Sequence, residues 1–265
     1  MQYIIKRGDT LSRIASAHKT TWQELARINN IPNPSHIRVG QRITIPSSTP
    51  TPTPSPTAPN KSDISYRKER KYIGWAWVDL HVFEMPRTVK RTVVGNVPGT
   101  LKPSKQKCEL VINGGFFWAG QPLGPTAIDG KRYGYVMPSY YPLDLDKLEF
   151  VSATQGTNVI SAYPRLVVNG IAKYTSVETY LTPRHPRTAM GWNKDKVFVV
   201  VADGRSTISA GLTMQQLADY MKSLGCVEAI NLDGGGSSVA AYNGKIVSRP
   251  SDGYERSVVT AISFG

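Results

Sequence analysis

The run Ser47–Asn60, SSTPTPTPSPTAPN, holds five prolines among fourteen residues and no charged or large side chain. Proline fixes φ and lacks an amide donor, so alternating prolines enter neither a helix interior nor the middle of a sheet. The run favours extended polyproline conformation at about 3.1 Å per residue, making a semi-rigid spacer of roughly 40 Å. The chain must therefore fold as two units, one on each side. Its 265 residues, 40% hydrophobic, supply one sizeable core and a second small one.

Composition narrows the function classes. No stretch approaches the roughly 18–20 apolar residues of a transmembrane helix, and Met1–Lys6 leads into patterned structure without a signal-peptide core. Membrane insertion is not expected, and an export signal is not written in the chain. The net charge of +13, spread over both units, calls for a polyanionic partner. No aromatic-basic ribonucleoprotein pattern, zinc-finger spacing or basic helix accompanies it, so nucleic acid is not the expected one. Two cysteines, Cys108 and Cys226, are too few for a disulfide scaffold, and whether they pair is open. Four histidines lack metal-ligand spacing, so no metal or cofactor is expected, with a supporting divalent cation left open.

In the first unit Tyr3–Lys6 reads as a strand and Gly8-Asp9-Thr10 as a turn that caps a helix, with Leu11, Ile14 and Ala15 at helical spacing. Thr21 and Glu24 form a capping box for a second helix carrying Trp22, Leu25, Ala26 and Ile28. After the turn Pro32-Asn33-Pro34, Gly40–Pro46 alternates as a closing strand. This βααβ unit, residues 1–46, resembles the LysM family through Tyr3–Leu11, Ile14-Ala15, Leu25–Asn29 and Val39–Pro46. The resemblance implies binding of N-acetylglucosamine glycans such as peptidoglycan, through Gly8, Asp9, Thr10 and Leu11 with Asn30, Ile31 and Pro32. It also implies a cell-wall or extracellular setting, whether as an exported, phage-released or spore-layer protein.

Beyond the spacer, Lys61–Lys71 is polar and reads as a solvated lead-in, which puts linker and lead-in at 47–71 and the second domain at 72–265. Strand-like runs at 73–80, 109–112, 166–168, 196–202 and 227–232 surround one long helix, Thr213–Leu224, with Thr213 and Gln216 as capping box and Gly225 as terminator. The expected class is α+β, a small βααβ module followed by a strand-rich mixed α+β domain.

Four segments share one design, an apolar strand meeting a polar or glycine-rich turn. They are Val111–Phe117 (VINGGFF), His185–Gly191 (HPRTAMG), Val199–Arg205 (VVVADGR) and Ile230–Ser238 (INLDGGGSS). Strand ends mount reactive groups rigidly, and glycines let backbone amides approach an anion. Asp233–Ser238 is not a phosphate loop, since G-x-x-x-x-G-K-[ST] is absent, and no G-x-S-x-G elbow occurs. In this order, with Leu212–Gly225, Asn243-Gly244 and Arg256, the segments resemble the phosphodiester glycosidase family across 72–265.

That resemblance implies hydrolysis of sugar-1-phosphate diesters. The leaving phosphate monoester departs more readily than an alcohol, so cations matter more than a strong general acid. Arg187, Arg205 and Arg256 are the candidates for gripping the phosphate, because a guanidinium fork matches two phosphate oxygens. Asp233 is the candidate carboxylate that attacks the anomeric carbon or activates water, Asp203 the second carboxylate, and His185 a candidate acid. Asn113 is expected on the sugar, the Gly114 and Gly115 amides on the phosphate, and Thr188, Gly234, Gly235 and Ser237 beside them. Joined to a peptidoglycan-binding module, such an enzyme suits an anionic phosphate-linked wall polymer such as teichoic acid. Attack at phosphorus, or a non-catalytic glycan-binding role in wall or spore layer, stays open at this point.

Overall fold

The computed structural model describes residues 2–18, 25–26, 28–29, 31, 37–45, 63–135, 137–174 and 182–265. The expected spacer lies outside these residues, as do Thr21, Trp22, Glu24, Asn30 and the turn 32–34. Two compact units divide the chain, Met1–Asn60 and Lys61–Gly265.

In the first unit β1 (Gln2–Ile4) pairs antiparallel with β2 (Arg42–Thr44), Tyr3 opposite Ile43. Helix α1 (Leu11–Ala17) begins at Thr10, whose hydroxyl accepts the Arg13 amide at 3.2 Å. Leu11, Ile14 and Ala15 turn inward against Leu25, Ile31, Ile43 and Ile45. Asn29 clamps the strand pair to the helical residues before it. Its amide nitrogen donates to the Thr44 carbonyl at 2.8 Å and its oxygen accepts the Thr44 amide at 2.6 Å.

The second unit is built on three antiparallel sheets. The largest has seven strands in the order β15 (Ile171–Ala172), β14 (Arg165–Val168), β18 (Glu228–Asn231), β16 (Arg187–Trp192), β17 (Lys196–Ala202), β4 (Ala76–Pro86) and β3 (Ser65–Ile73). A five-stranded sheet runs β20 (Lys245–Ile246), β19 (Ala240–Tyr242), β6 (Leu110–Asn113), β21 (Thr260–Phe264) and β5 (Arg91–Gly95). The third runs β10 (Lys131–Tyr133), β9 (Thr126–Ile128), β13 (Val159–Ala162), β11 (Tyr141–Asp144) and β12 (Glu149–Phe150), and β7 (Phe117–Trp118) with β8 (Gln121–Pro122) forms a separate hairpin.

Strand β17 shows why its sequence is apolar throughout. Val197, Val199 and Val201 enter the core shared with Ile112, Ile160 and Ile262, while Phe198, Val200 and Ala202 enter a second core beneath a helix. That helix, α2 (Met214–Ser223), starts at the predicted capping box: the Thr213 hydroxyl accepts the Gln216 amide, and the Gln216 side chain accepts the Thr213 amide. It lies so close that a methyl group on Gly191 would sit 2.8 Å from the Met221 Cε. Cys226 and Cys108 are both free thiols, and burial pushes the Cys226 thiol up to about 12.

The expected lead-in is instead a strand. Residues 65–73 pair along their whole length with β4, from Ser65 opposite Glu84 to Ile73 opposite Ala76. Its charges conceal it, since Lys68 pairs with Asp79 at 3.2 Å and Arg67 with Glu69 at 2.6 Å on an outer strand where lysine and arginine discourage further pairing. Ile64 is 3% exposed and belongs to the main core, so the domain begins ahead of Tyr72. A chain starting at Tyr72 should expose the β4 edge and aggregate, whereas one starting at Asp63 should elute as a folded species. Size-exclusion chromatography of the two truncations distinguishes them, and a monodisperse chain from Tyr72 would contradict this assignment.

Candidate active site

Strand β18 ends at Asn231, and two residues later Asp233 is fixed through its backbone. Its amide donates to the Gly114 carbonyl at 3.1 Å, and its carbonyl accepts the Asn113 side-chain amide at 2.8 Å. Its carboxylate accepts the Gly234 amide at 2.8 Å. Burial raises the Asp233 carboxyl to about 6, against the pull of the Ser237 hydroxyl, the Gly234 amide and Arg256.

The three glycines after Asp233 are demanded by what lies above them. Gly235, at φ +60, donates to the Pro186 carbonyl, and a methyl group on it would reach 3.0 Å from the Arg205 guanidinium. One on Gly236 would fall 2.2 Å from both Arg256 and Asp252. The result is a cavity of about 340 Å³ floored by Asp233 and Gly234–Gly236. Phe116, His185, Arg187, Arg205 and Arg256 wall it.

The three arginines differ in setting. Arg187 opens β16 at 3% exposure and donates to the Leu212 and Pro183 carbonyls at 3.1 and 2.8 Å; burial first, and Arg205 beside it, lower it to about 10 despite Tyr174 nearby. Arg205 is exposed, sits at φ +56 and donates to His185 Nδ1 at 3.3 Å. Arg256 donates to Asp252 at 2.6 and 3.0 Å. Because Nδ1 of His185 is an acceptor, its imidazole proton is on Nε2. Burial, Arg187 and Arg205 all lower its pKa, which disfavours the charged form of the candidate acid.

Asp203 is likewise redirected. It is 3% exposed, its Oδ2 lies 3.1 Å from His81 Nε2, and its Oδ1 accepts the Arg249 amide at 2.8 Å, with Tyr66 hydroxyl 2.9 Å from the far nitrogen of His81. Both carboxylate oxygens are engaged away from the cavity, because the turn after β17 folds inward. A second carboxylate close to Asp233's cavity is Asp252, which holds the lining residue Arg256 from the loop between β20 and β21.

Asn113 and Thr188 are fully buried and bind each other at 2.8 Å, and Asn113 Oδ1 also accepts the Val239 amide at 3.1 Å. Asn113 therefore holds the backbone of Asp233 rather than a sugar. The Gly114 amide donates to the Thr260 carbonyl, and a methyl group on Gly115 would meet the Ser161 carbonyl at 2.2 Å, so this pair serves close packing instead of anion contact. Ser237 is 1% exposed beneath the glycine turn. Phe116, Gly236 and Asp252 belong to this region without a role expected from the sequence. An aromatic directly after Gly114-Gly115 is the available signal for Phe116, whereas Asp252 has none, since it meets Arg256 only through its loop.

In the first unit Leu11 and Ile31 are core residues, 1% and 9% exposed, so their side chains are withdrawn from any glycan. Asp9 accepts the Lys6 amide at 2.8 Å and the Tyr3 hydroxyl at 2.9 Å, which hold its carboxyl below the usual range. Gly8 takes φ +90 in the same turn. Gly8, Asp9 and Thr10 thus stand together at the surface, while Asn30 and Pro32 lie outside the described residues.

Comparison with known proteins agrees with this construction. Residues 106–264 match the phosphodiester glycosidase family and residues 3–46 the LysM domain. Mouse N-acetylglucosamine-1-phosphodiester alpha-N-acetylglucosaminidase is 28% identical over 175 residues, 55% of this chain and 34% of that protein. A cortical fragment-lytic enzyme of Bacillus subtilis is 52% identical over 44 residues, 17% of this chain and 10% of that protein. The chain thus spans about a third of the length of the first and a tenth of the second. The catalytic domain of the zebrafish N-acetylglucosamine-1-phosphodiester alpha-N-acetylglucosaminidase, auto-inhibited by its pro-peptide, shares the fold at a TM-score of 0.65 and 23% identity, over 77% of this chain and 84% of that one. With the ends of two sheets converging on an arginine-walled cavity and the family match running through both, the chain belongs to the phosphodiester glycosidase family and carries a LysM domain ahead of it.

Proposed function

We propose that the chain hydrolyses glycosyl-1-phosphodiesters, N-acetylglucosamine-1-phosphate diesters above all, in a phosphate-linked polymer attached to peptidoglycan. The observation that carries the reading is a half-buried carboxylate, Asp233, in a cavity walled by three guanidinium groups. Phosphate, unlike a neutral sugar, needs that much positive charge. The arginines take the phosphate, Phe116 offers a face to the sugar ring, and Asp233 stands at the anomeric carbon. Water attacks that carbon and gives its proton to Asp233, the carbon–oxygen bond to phosphate breaks, and its electron pair leaves on the phosphate oxygen. His185, whose charged form burial and two neighbouring arginines disfavour, orients rather than protonates.

The LysM domain would bring the enzyme to N-acetylglucosamine glycans of the wall, and tethering raises the local concentration of the bonds to be cut. The strongly basic chain suits an anionic polymer such as teichoic acid.

Two outcomes test the reading. Purified walls incubated with the protein should release phosphorus-rich polymer together with reducing amino sugar; walls that release neither would remove this substrate. On an aryl N-acetylglucosamine-1-phosphodiester, kcat/KM should rise about tenfold per pH unit up to about pH 6 and then level off, since Asp233 acts ionised. A rate that falls across that range would assign the carboxyl the opposite role.

A further inference from the structure

A second cavity of about 240 Å³ opens in the catalytic unit, lined by Tyr141, Tyr163, Pro164, Arg165, Val168 and Lys173. Aromatic rings reach it from the first. Phe116, which walls the Asp233 cavity, meets Tyr140 edge-on at 5.8 Å, and Tyr140 meets Tyr163 at 5.8 Å. Two ring-to-ring steps of 5.8 Å each connect the lining of one cavity to that of the other. The backbone joins them too. Tyr163 donates to the Asn231 carbonyl at 3.2 Å and accepts the Asn231 side-chain amide at 2.8 Å, two residues before Asp233.

The lining combines tyrosine faces with cations. Arg165 stacks over Phe150 at 4.4 Å and pairs with Glu228, while its Nε is buried without a hydrogen-bond partner. A buried guanidinium nitrogen left so is costly unless an incoming acceptor satisfies it. Lys173 is exposed and forms no ion pair among the described residues, leaving one net positive charge beside two tyrosine rings. Ring faces suit the apolar side of a sugar, and the cations suit an anionic group linked to it.

We infer that this cavity is a subsite for the neighbouring sugar phosphate of a polymeric substrate, so that the enzyme reads two successive units and not a single diester. The inference rests on the proposed hydrolysis at Asp233 and names what lies next to the bond being cut.

The test uses the full chain carrying Asp233→Asn, so that nothing is turned over, with excess chitotetraose to occupy the LysM domain. The probe is a tetramer of phosphate-linked N-acetylglucosamine, titrated calorimetrically. Lys173→Glu and Tyr141→Ala, added separately to exposed positions, should each weaken its binding about tenfold with unchanged melting temperatures. In the otherwise native chain both should raise KM for the tetramer about tenfold and leave kcat/KM for the aryl monomer diester as it was. Binding of the tetramer within twofold of the parent in both variants overturns the subsite. Failure of the native chain to cleave the monomer diester overturns the catalytic reading instead, and the titration then still decides the subsite.

Discussion

Asp233→Asn should lower kcat on an N-acetylglucosamine-1-phosphodiester by about 10³-fold or more and, in the same protein, raise stability at neutral pH. The two effects share one cause. Burial lifts the carboxyl from 3.8 to about 6, so folding favours the protonated form. A group whose folded pKa is raised contributes fully below its unfolded pKa, and that contribution is lost as pH rises through the folded value. At pH 7 the ionised carboxylate therefore costs about 2 kcal/mol, after allowance for partial solvent access, at about 1.4 kcal/mol per pH unit. The neutral amide carries no such penalty, and melting should rise by roughly 5 °C at pH 7. The gain should shrink to a small fraction of this near pH 4, where Asp233 is protonated in the folded state and nearly half protonated in the unfolded one. Thermal melts of the two proteins at pH 4 and pH 7 check this; an equal difference at both pH values would mean the carboxylate is not held against its preference.

Asn113→Ala should be the most damaging single change to the domain outside its apolar core. Asn113 satisfies the Thr188 hydroxyl, the Val239 amide and the Asp233 carbonyl from a position with no solvent access. Its removal leaves these groups unpartnered at about 1–3 kcal/mol each, less than additive because they relax together, and about 4 kcal/mol in total is expected. Since one of them is the carbonyl of Asp233, activity should fall with stability. Urea unfolding measures the first, and a loss under 1 kcal/mol would show that Asn113 does not hold the site.

Local rules carried much of this far. Capping residues fixed α2 at Thr213, and unbroken apolar runs located β17 and β18, because each signal is complete within a few neighbouring residues. Asp233 was legible for the same reason, as an acid at a strand end with three glycines after it. Asp203 carried an equivalent local signature and turned inward, since its fate was decided by His81, more than a hundred residues away on β4. Asn113 was similarly misread: its partners lie on three other segments. The strand β3 escaped notice because an edge strand needs charged residues that resemble a linker, and the pairing that makes it a strand is with β4. Phe116 and Asp252 lie on loops, where spacing carries no period to read.

The proposed reaction requires bond cleavage at the anomeric carbon, with Asp233 ionised and the phosphate held by arginines. Hydrolysis of an aryl N-acetylglucosamine-1-phosphodiester in heavy-oxygen water measures it directly by mass spectrometry of both products. The label should appear on the freed sugar and be absent from the aryl phosphate; label in the phosphate would mean attack at phosphorus and contradict the account.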